Sequence, residues 1–311
     1  MNIVDFFDKC RFWGANRNRF LSKIYFYPIV NNLVNIVANC MLPLYFELTK
    51  NNPKYAIYGV NDERKEKIIV CLTSFYVRIP KLWLVVESIL RNTVKPDKIV
   101  LYLQLEKIED IPHRLYRMKE RGVEFVLCDT TLRSHNKYYH AFRSFPNDCI
   151  ITIDDDMFYR SDFIATFVEN HEKYPNLIIA NWAKKVSKET PMYKEWGEPR
   201  NAEVSVALLP IGVAGVLYPP HSLYSDVLNE NLIMSLSITA DDVWLTAMGI
   251  LNGTQKYFSG YKQNFLPILI KNNVALDTSN VGENVNQKCV DNINNYYQEK
   301  LGIRPFIDLI K

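Results

Sequence analysis

A β-branched apolar run, Cys149-Ile150-Ile151-Thr152-Ile153, stops on three carboxylates, Asp154-Asp155-Asp156, and continues as Met157-Phe158-Tyr159. β-branched residues suit a pleated, packed surface, so the run reads as a buried strand. Alternate residues of a strand share a face, which sends Asp154 and Asp156 one way and Asp155 the other. Two carboxylates on one face at a strand's carboxyl end repel each other. A divalent cation removes that cost, and oxygen ligands of this kind suit the hard cations Mg²⁺ or Mn²⁺.

The segments before the aspartates alternate. Lys67 to Phe75 is a continuous apolar run, as expected of a parallel strand buried on both faces, and it ends at Thr73-Ser74 with Arg78 just beyond. Pro80 opens a helical pattern carrying Leu82, Val85, Val86, Ile89 and Leu90. Lys98–Leu103 is the next strand, Pro112–Arg121 a helical piece, and Val123–Asp129 a third strand. His135–Phe142 is a helix leading into the aspartate-tipped strand. This alternation predicts an α/β fold with right-handed crossovers, in which ligands sit outside the carboxyl ends of the strands. Thr73, Ser74, Arg78 and Asp154 to Asp156 all fall at such ends.

Beyond them, Asp162–Phe167 suggests a short helix and Leu177–Trp182 a strand. Residues 183 to 203 are polar and aperiodic, a candidate mobile loop. Pro210–Pro220 reads as a strand in which Gly212 and Gly215 allow close backbone approach. Thr239–Gly249 reads as a helix capped by Thr239 or Asp241, with Asp241 and Asp242 in its first turn. Lys256–Phe258 and Pro267–Ile270 are strand-like. An Asn-rich loop from Asn272 to Gln287 precedes a last helix near Val290 to Lys300.

The first 65 residues differ in kind. Lys9, Arg11, Arg17, Arg19 and Lys23 alternate with Phe6, Phe7, Phe12, Trp13 and Phe20. Tyr25 to Phe46 is then apolar except for Asn31, Asn32, Asn35 and Asn39. Pro28 and Pro43 are expected at the ends of this segment. Asn31, Asn35 and Asn39 line one helical face, which argues against a lipid-spanning helix although the length suffices. The segment reads as a basic-aromatic, amphipathic element that touches an anionic membrane surface or packs on the core. Residues 1–65 are therefore expected to form an N-terminal helical extension. Residues 66–311 form the main domain, with halves at about 66–160 and 161–311. No secretion signal is evident, and the six scattered cysteines lack zinc or redox spacing, so a reducing, cytoplasmic location is expected. A net charge of +3 gives no case for nucleic acid.

This succession of a strand ending in Thr-Ser, Ile-Thr-Ile-Asp-Asp-Asp-Met-Phe-Tyr, Gly-Val-Leu-Tyr-Pro-Pro and Ala-Asp-Asp-Val-Trp-Leu resembles the GT-A glycosyltransferases. In particular it resembles bacterial family-2-like sugar transferases of surface polysaccharide synthesis. The resemblance covers about residues 66 to 250. It implies a mixed, mainly parallel sheet flanked by helices, a nucleotide-diphospho-sugar donor, a glycan or lipid-linked acceptor, and Mn²⁺ or Mg²⁺. Asp156 would bind the metal, with Asp154 at the ribose or a metal-bound water and Asp155 able to do either. Thr73, Ser74, Arg78 and Lys137 would border the donor, and Gly212, Gly215 and Trp244 the acceptor. Asp242, with Asp241 next, would supply the carboxylate that takes the acceptor's proton, with inversion of configuration.

Phosphotransfer of the haloacid dehalogenase type fits less well, since it expects Thr or Val where Phe158 stands. A nucleotidyltransferase would want a glycine-rich loop after the first strand, and Thr73 to Pro80 contains no glycine. A scaffold that has lost catalysis would have no need of acids at both positions.

Overall fold

The computed structural model describes residues 2–12, 21–22, 25–57, 64–190, 192–270 and 284–310. Trp13, Arg17, Arg19, Phe20 and Lys23 of the basic-aromatic stretch lie outside the described residues, as does most of the Asn-rich loop.

The chain is an α/β protein. Among the described residues its main sheet has eight strands, in the order β3-β2-β1-β4-β9-β5-β10-β7. Strands β1 (Ile68–Phe75), β2 (Lys98–Gln104), β3 (Val123–Leu127) and β4 (Cys149–Thr152) are mutually parallel. β9 (Val216–Tyr218) lies antiparallel between β4 and β5 (Ile178–Ala180). β10 (Lys256–Phe258) pairs parallel with β5, and β7 (Glu203–Ser205) closes that edge antiparallel. The expectation of a structureless stretch at 183–203 is corrected: β6 (Ala183–Lys185) begins it and pairs with β8 (Leu208–Pro210) in a two-stranded sheet. β-strands of three residues carry too little alternation to be read from sequence.

The unbroken apolarity of β1 has the cause foreseen. Ile68, Val70 and Leu72 belong to one hydrophobic cluster with α3 (Ile79–Leu90), while Ile69 and Cys71 face Ala141 of α4 (Asn136–Ser144) on the other side. α5 (Phe163–Lys173) joins the first cluster. α6 (Glu230–Leu236), α7 (Asp241–Leu251) and α8 (Val285–Leu301) contribute to a separate cluster.

Two N-terminal helices complete the first cluster. Val4 and Phe7 come from α1 (Ile3–Lys9), and Ala38, Leu42 and Phe46 from α2 (Phe26–Thr49). Pro43 lies inside α2 rather than at its end. A proline interior to a helix costs about 3 kcal/mol. Burying Leu42 and Phe46, the latter with its ring centroid 6.3 Å from that of Phe158, returns roughly 1.5–3 kcal/mol each.

Gly215 is held at φ +80°, and a Cβ there would meet the Phe163 ring at 2.5 Å. Gly215→Ala is expected to destabilise the fold by about 3 kcal/mol, from backbone strain plus overpacking. Urea unfolding followed by circular dichroism reads the change; a shift near zero would show that the α5 rings yield easily.

Candidate active site

β1 and β4 end side by side, and their carboxyl ends form one wall of a cavity of about 860 Å³. The alternation read from sequence is visible in the side chains, although β4 itself stops at Thr152. Asp155 turns inward with 8% of its side chain exposed, whereas Asp154 and Asp156 keep 33% and 32%. Asp155 accepts from Ser74 Oγ at 2.5 Å and from an Arg78 guanidinium nitrogen at 2.5 Å. The same nitrogen lies 3.0 Å from Asp156 Oδ2. Thr73, although it lines the cavity, gives its hydroxyl to the Tyr102 carbonyl of β2 at 2.9 Å. Asp155 thus fixes the arginine, and Asp156 is left facing the space.

The opposite wall comes from α4, the turn at 212–214 and the start of α7. The first turn of α7 holds Asp241 and Asp242, but neither caps it: Ala240 stands at the cap without a side-chain bond. Both acids are turned into the site instead. Lys137, in the first turn of α4 and 5% exposed, sits 3.0 Å from Asp154 Oδ1 and 2.8 Å from Asp241 Oδ2. Asp242 accepts the Gly212 N–H at 3.2 and 3.1 Å through its two oxygens. A Cβ on Gly212 would lie 2.9 Å from Asp242 Oδ1 and 3.1 Å from Lys137 Nζ, so this position admits only glycine without displacing both.

Charge is arranged unevenly. Burial, then Asp154 and Asp155, push Asp156 up to about 7. Burial and the neighbouring Asp241 push Asp242 up to about 8. Burial also raises Asp241, but Lys137, His135 and Ser134 together outweigh it and hold that carboxyl below its usual range. Burial disfavours the Lys137 ammonium, yet Asp154, Asp241 and Asp242 together hold it well above the ordinary lysine range. Adjacent carboxylates on one helix turn are thereby driven apart, one a fixed anion beside an ammonium and one with a strong appetite for a proton. Such separation marks acid–base sites.

The acids fit a hard cation in a particular way. Asp154 and Asp156 each engage a protein cation through one oxygen and stay open to the cavity. Among the described residues, the one group of three whose ligand atoms lie within 4.8 Å of one another is Glu66, Cys149 and His171; Cys149 opens β4, at the end away from the aspartates. The acid cluster therefore offers two carboxylates rather than a closed cage. That suits Mg²⁺ or Mn²⁺, which are commonly held by one or two carboxylates with phosphate oxygens completing the shell.

Most residues expected at the site are brought together: Thr73, Ser74, Arg78, Lys137, Asp154, Asp155, Asp156, Asp241 and Asp242 line the cavity, and Gly212 donates its N–H to Asp242. Two are not, which corrects the reading of them as acceptor contacts. Gly215 packs against Phe163 and Phe167, and Trp244 is fully buried, its indole N–H donating to the Val227 carbonyl at 3.1 Å. One turn further along α7 than the lining residues Ala240 and Asp241, position 244 packs in the core with Val243, Ala247 and Met248.

Sequence reasoning missed several supports. Tyr159 receives the Asp154 N–H at 2.9 Å and donates to the Val213 carbonyl at 3.2 Å, tying the two walls. His135, fully buried and lowered to about 4 by that burial, is held between the Tyr138 hydroxyl and the Ser237 carbonyl. Arg133, Trp182, Lys184 and Tyr193 also line the cavity, with Lys184 Nζ 4.2 Å from the Tyr193 ring centroid. Trp182 stands two residues before Lys184 and Tyr193 directly before Lys194 in the sequence, the local signal for this part of the lining.

No family model matches the chain, and no curated protein matches it. Among solved structures, a CMP:2-keto-3-deoxy-manno-octonic acid synthetase complexed with CTP aligns at 12% identity, over 63% of this chain and 89% of its own, with a TM-score of 0.38. A UTP-bound UGPase from Acinetobacter baumannii aligns at 9% identity, over 76% of this chain and 95% of its own, with a TM-score of 0.41. Likenesses this distant carry no argument about chemistry.

Proposed function

We propose that the chain is a metal-dependent glycosyltransferase of the GT-A type. It moves a sugar from a nucleotide-diphospho-sugar to a glycan or lipid-linked acceptor in the synthesis of a bacterial surface polysaccharide, with inversion. The observation that carries this reading is the meeting, across one cavity, of the strand-end acids Asp154 and Asp156 with the helix-start acid Asp242. The first pair suits a diphosphate-bound cation and the second a general base, and the transfer needs both.

Asp154 and Asp156 would hold Mn²⁺ or Mg²⁺, which when bound draws off the charge that grows on a departing nucleoside diphosphate. Ser74 and Arg78 keep Asp155 in place and so orient the triplet. Asp242 accepts the proton of the acceptor hydroxyl as that oxygen attacks the anomeric carbon. A carboxylate whose affinity for protons sits near the working pH is matched to that task. Lys137 and Asp241 fix the neighbourhood of the base without competing for the proton.

A thermal-shift screen of nucleotide sugars with Mn²⁺ tests the reading. Ligand that binds the folded state alone raises the midpoint by mass action. A uridine or guanosine diphospho-sugar is expected to raise it, and chelator to abolish the rise. In Asp156→Ala the metal-dependent part should vanish. Equal shifts with and without metal would refute the role of Asp156. Absence of metal-dependent turnover with every donor would favour a binding protein that keeps the fold.

A further inference from the structure

Helix α2 carries its polarity inside out. Asn31 exchanges hydrogen bonds with the backbone of Phe12, and Asn39 donates to the Pro267 carbonyl and accepts the Leu269 N–H. Asn35 is buried between them. The asparagine stripe is thus the docking face of the helix on its own protein. The opposite stripe, Ile29, Leu33, Ile36, Met41, Leu44 and Leu48, stands in solvent, with Leu33, Leu44 and Leu48 exposed by 61%, 62% and 77%. A helix of 24 residues is about 36 Å long. Its one Asp, Glu, Lys or Arg is Glu47, which is paired with Lys50 and Arg114.

We infer that this outward face lies flat in the headgroup boundary of an anionic lipid bilayer. Length and composition would allow α2 to span, but one side of it is bonded and packed onto the core, so lipid cannot surround it. Charge selects the occupant. The first 54 residues carry seven Lys or Arg and three Asp or Glu. All three acids are engaged by the protein: Asp5 with Ser161, Asp8 with Asn264, and Glu47 as above. Among the described cations of this stretch, Arg11 is bonded to the Asn264 carbonyl and Lys50 to Glu47, while Lys9 and Lys54 are exposed; in sequence the basic excess both precedes and follows the helix. A second copy packed on this stripe in either direction would bring basic ends together, whereas anionic headgroups complement both.

The docked helix is joined to the candidate site. Asn39 holds segment 267–269, and within that segment Ile268 N–H donates to the Asp156 carbonyl at 2.7 Å. A bilayer there would suit a lipid-linked acceptor, and that last step rests on the proposed transfer; the docking itself does not.

Sedimentation of the full chain with vesicles, without donor or metal, tests it apart from any catalytic reading. Vesicles of phosphatidylcholine with phosphatidylglycerol are expected to bind the protein at least about tenfold more tightly than phosphatidylcholine alone, with the difference shrinking in high salt. Leu33→Glu/Leu44→Glu/Leu48→Glu, three exposed changes, should abolish binding while circular dichroism and melting stay as in the parent. The inference is overturned if the parent does not sediment with anionic vesicles or if the triple variant sediments equally. It is also overturned if light scattering finds a dimer that the triple variant splits, since a second copy then owns the face.

Discussion

Asp242→Asn is expected to lower kcat for sugar transfer by about 10³-fold while donor binding, read by thermal shift, stays within a few fold of the parent. General-base contributions run from roughly 10² to 10⁴. Asparagine keeps the size of the side chain, and its amide oxygen can still accept the Gly212 N–H that fixes this position. Only the affinity for a proton is removed. The same burial that suits Asp242 to act as base makes it costly to ionise. Its folded pKa, near 8, stands above its unfolded value, so the folded state holds the extra proton between those limits. Stability is then fully present at low pH and falls as pH rises toward 8. Asp242→Asn should therefore melt higher than the parent above pH 7 and flatten the fall. In the parent, kcat/KM should climb with pH through a midpoint near 8 as the base ionises, and the variant should lose that limb. A variant that loses activity and melts lower would mean that Asp242 holds the fold together and is not the base.

The division between what the sequence betrays and what it hides has a physical basis. β1 and β4 are legible because strands covered on both faces must be continuously apolar, and the carboxylates that end β4 break that rule at one point. The pairing of Asp241 with Asp242 is legible as a helix start. What separates their roles, a buried ammonium 2.8 Å from one and a glycine N–H about 3 Å from the other, comes from α4 and the 212–214 turn and has no local signature. Trp244 and Gly215 mislead because closeness in sequence to an active residue does not bring a residue to the cavity: Trp244 fills the core and Gly215 lies against Phe163. In α2 the period of the asparagines is plain, but the rule that polar faces turn outward points the wrong way. The pairing of Asn39 with segment 267–269 reverses it. Pro43 likewise sits within a helix held by tertiary packing rather than by propensity.

Lys137 gives the second large effect, and here on stability. By sequence it could be a solvated helix lysine; in the fold it is buried, and it bridges Asp154 of one wall to Asp241 of the other. Lys137→Met keeps the length of the side chain and removes the charge, leaving the acids around it uncompensated. Breaking a buried pair from one side costs roughly 3–5 kcal/mol, more than the pair adds when intact, because the surviving ion has no partner and no water. For a chain of this size that is a fall in melting midpoint on the order of 10 °C. The sign with pH follows from the acids. Without the ammonium, which lowers both, the folded pKa values of Asp241 and Asp242 rise, so the variant binds more protons when folded and loses stability as pH increases. The gap between variant and parent should then be widest near neutrality and close as pH falls toward 4, where the orphaned carboxylates take up protons. A cation shared by Asp154 and Asp156 would replace part of the lost charge, so Mn²⁺ should narrow the gap as well. Melting curves of both proteins across pH, with and without Mn²⁺, read all three trends. A gap that ignores pH would mean that Lys137 matters for its packing alone, and that the two walls of the cavity are held by the Tyr159 hydroxyl rather than by charge.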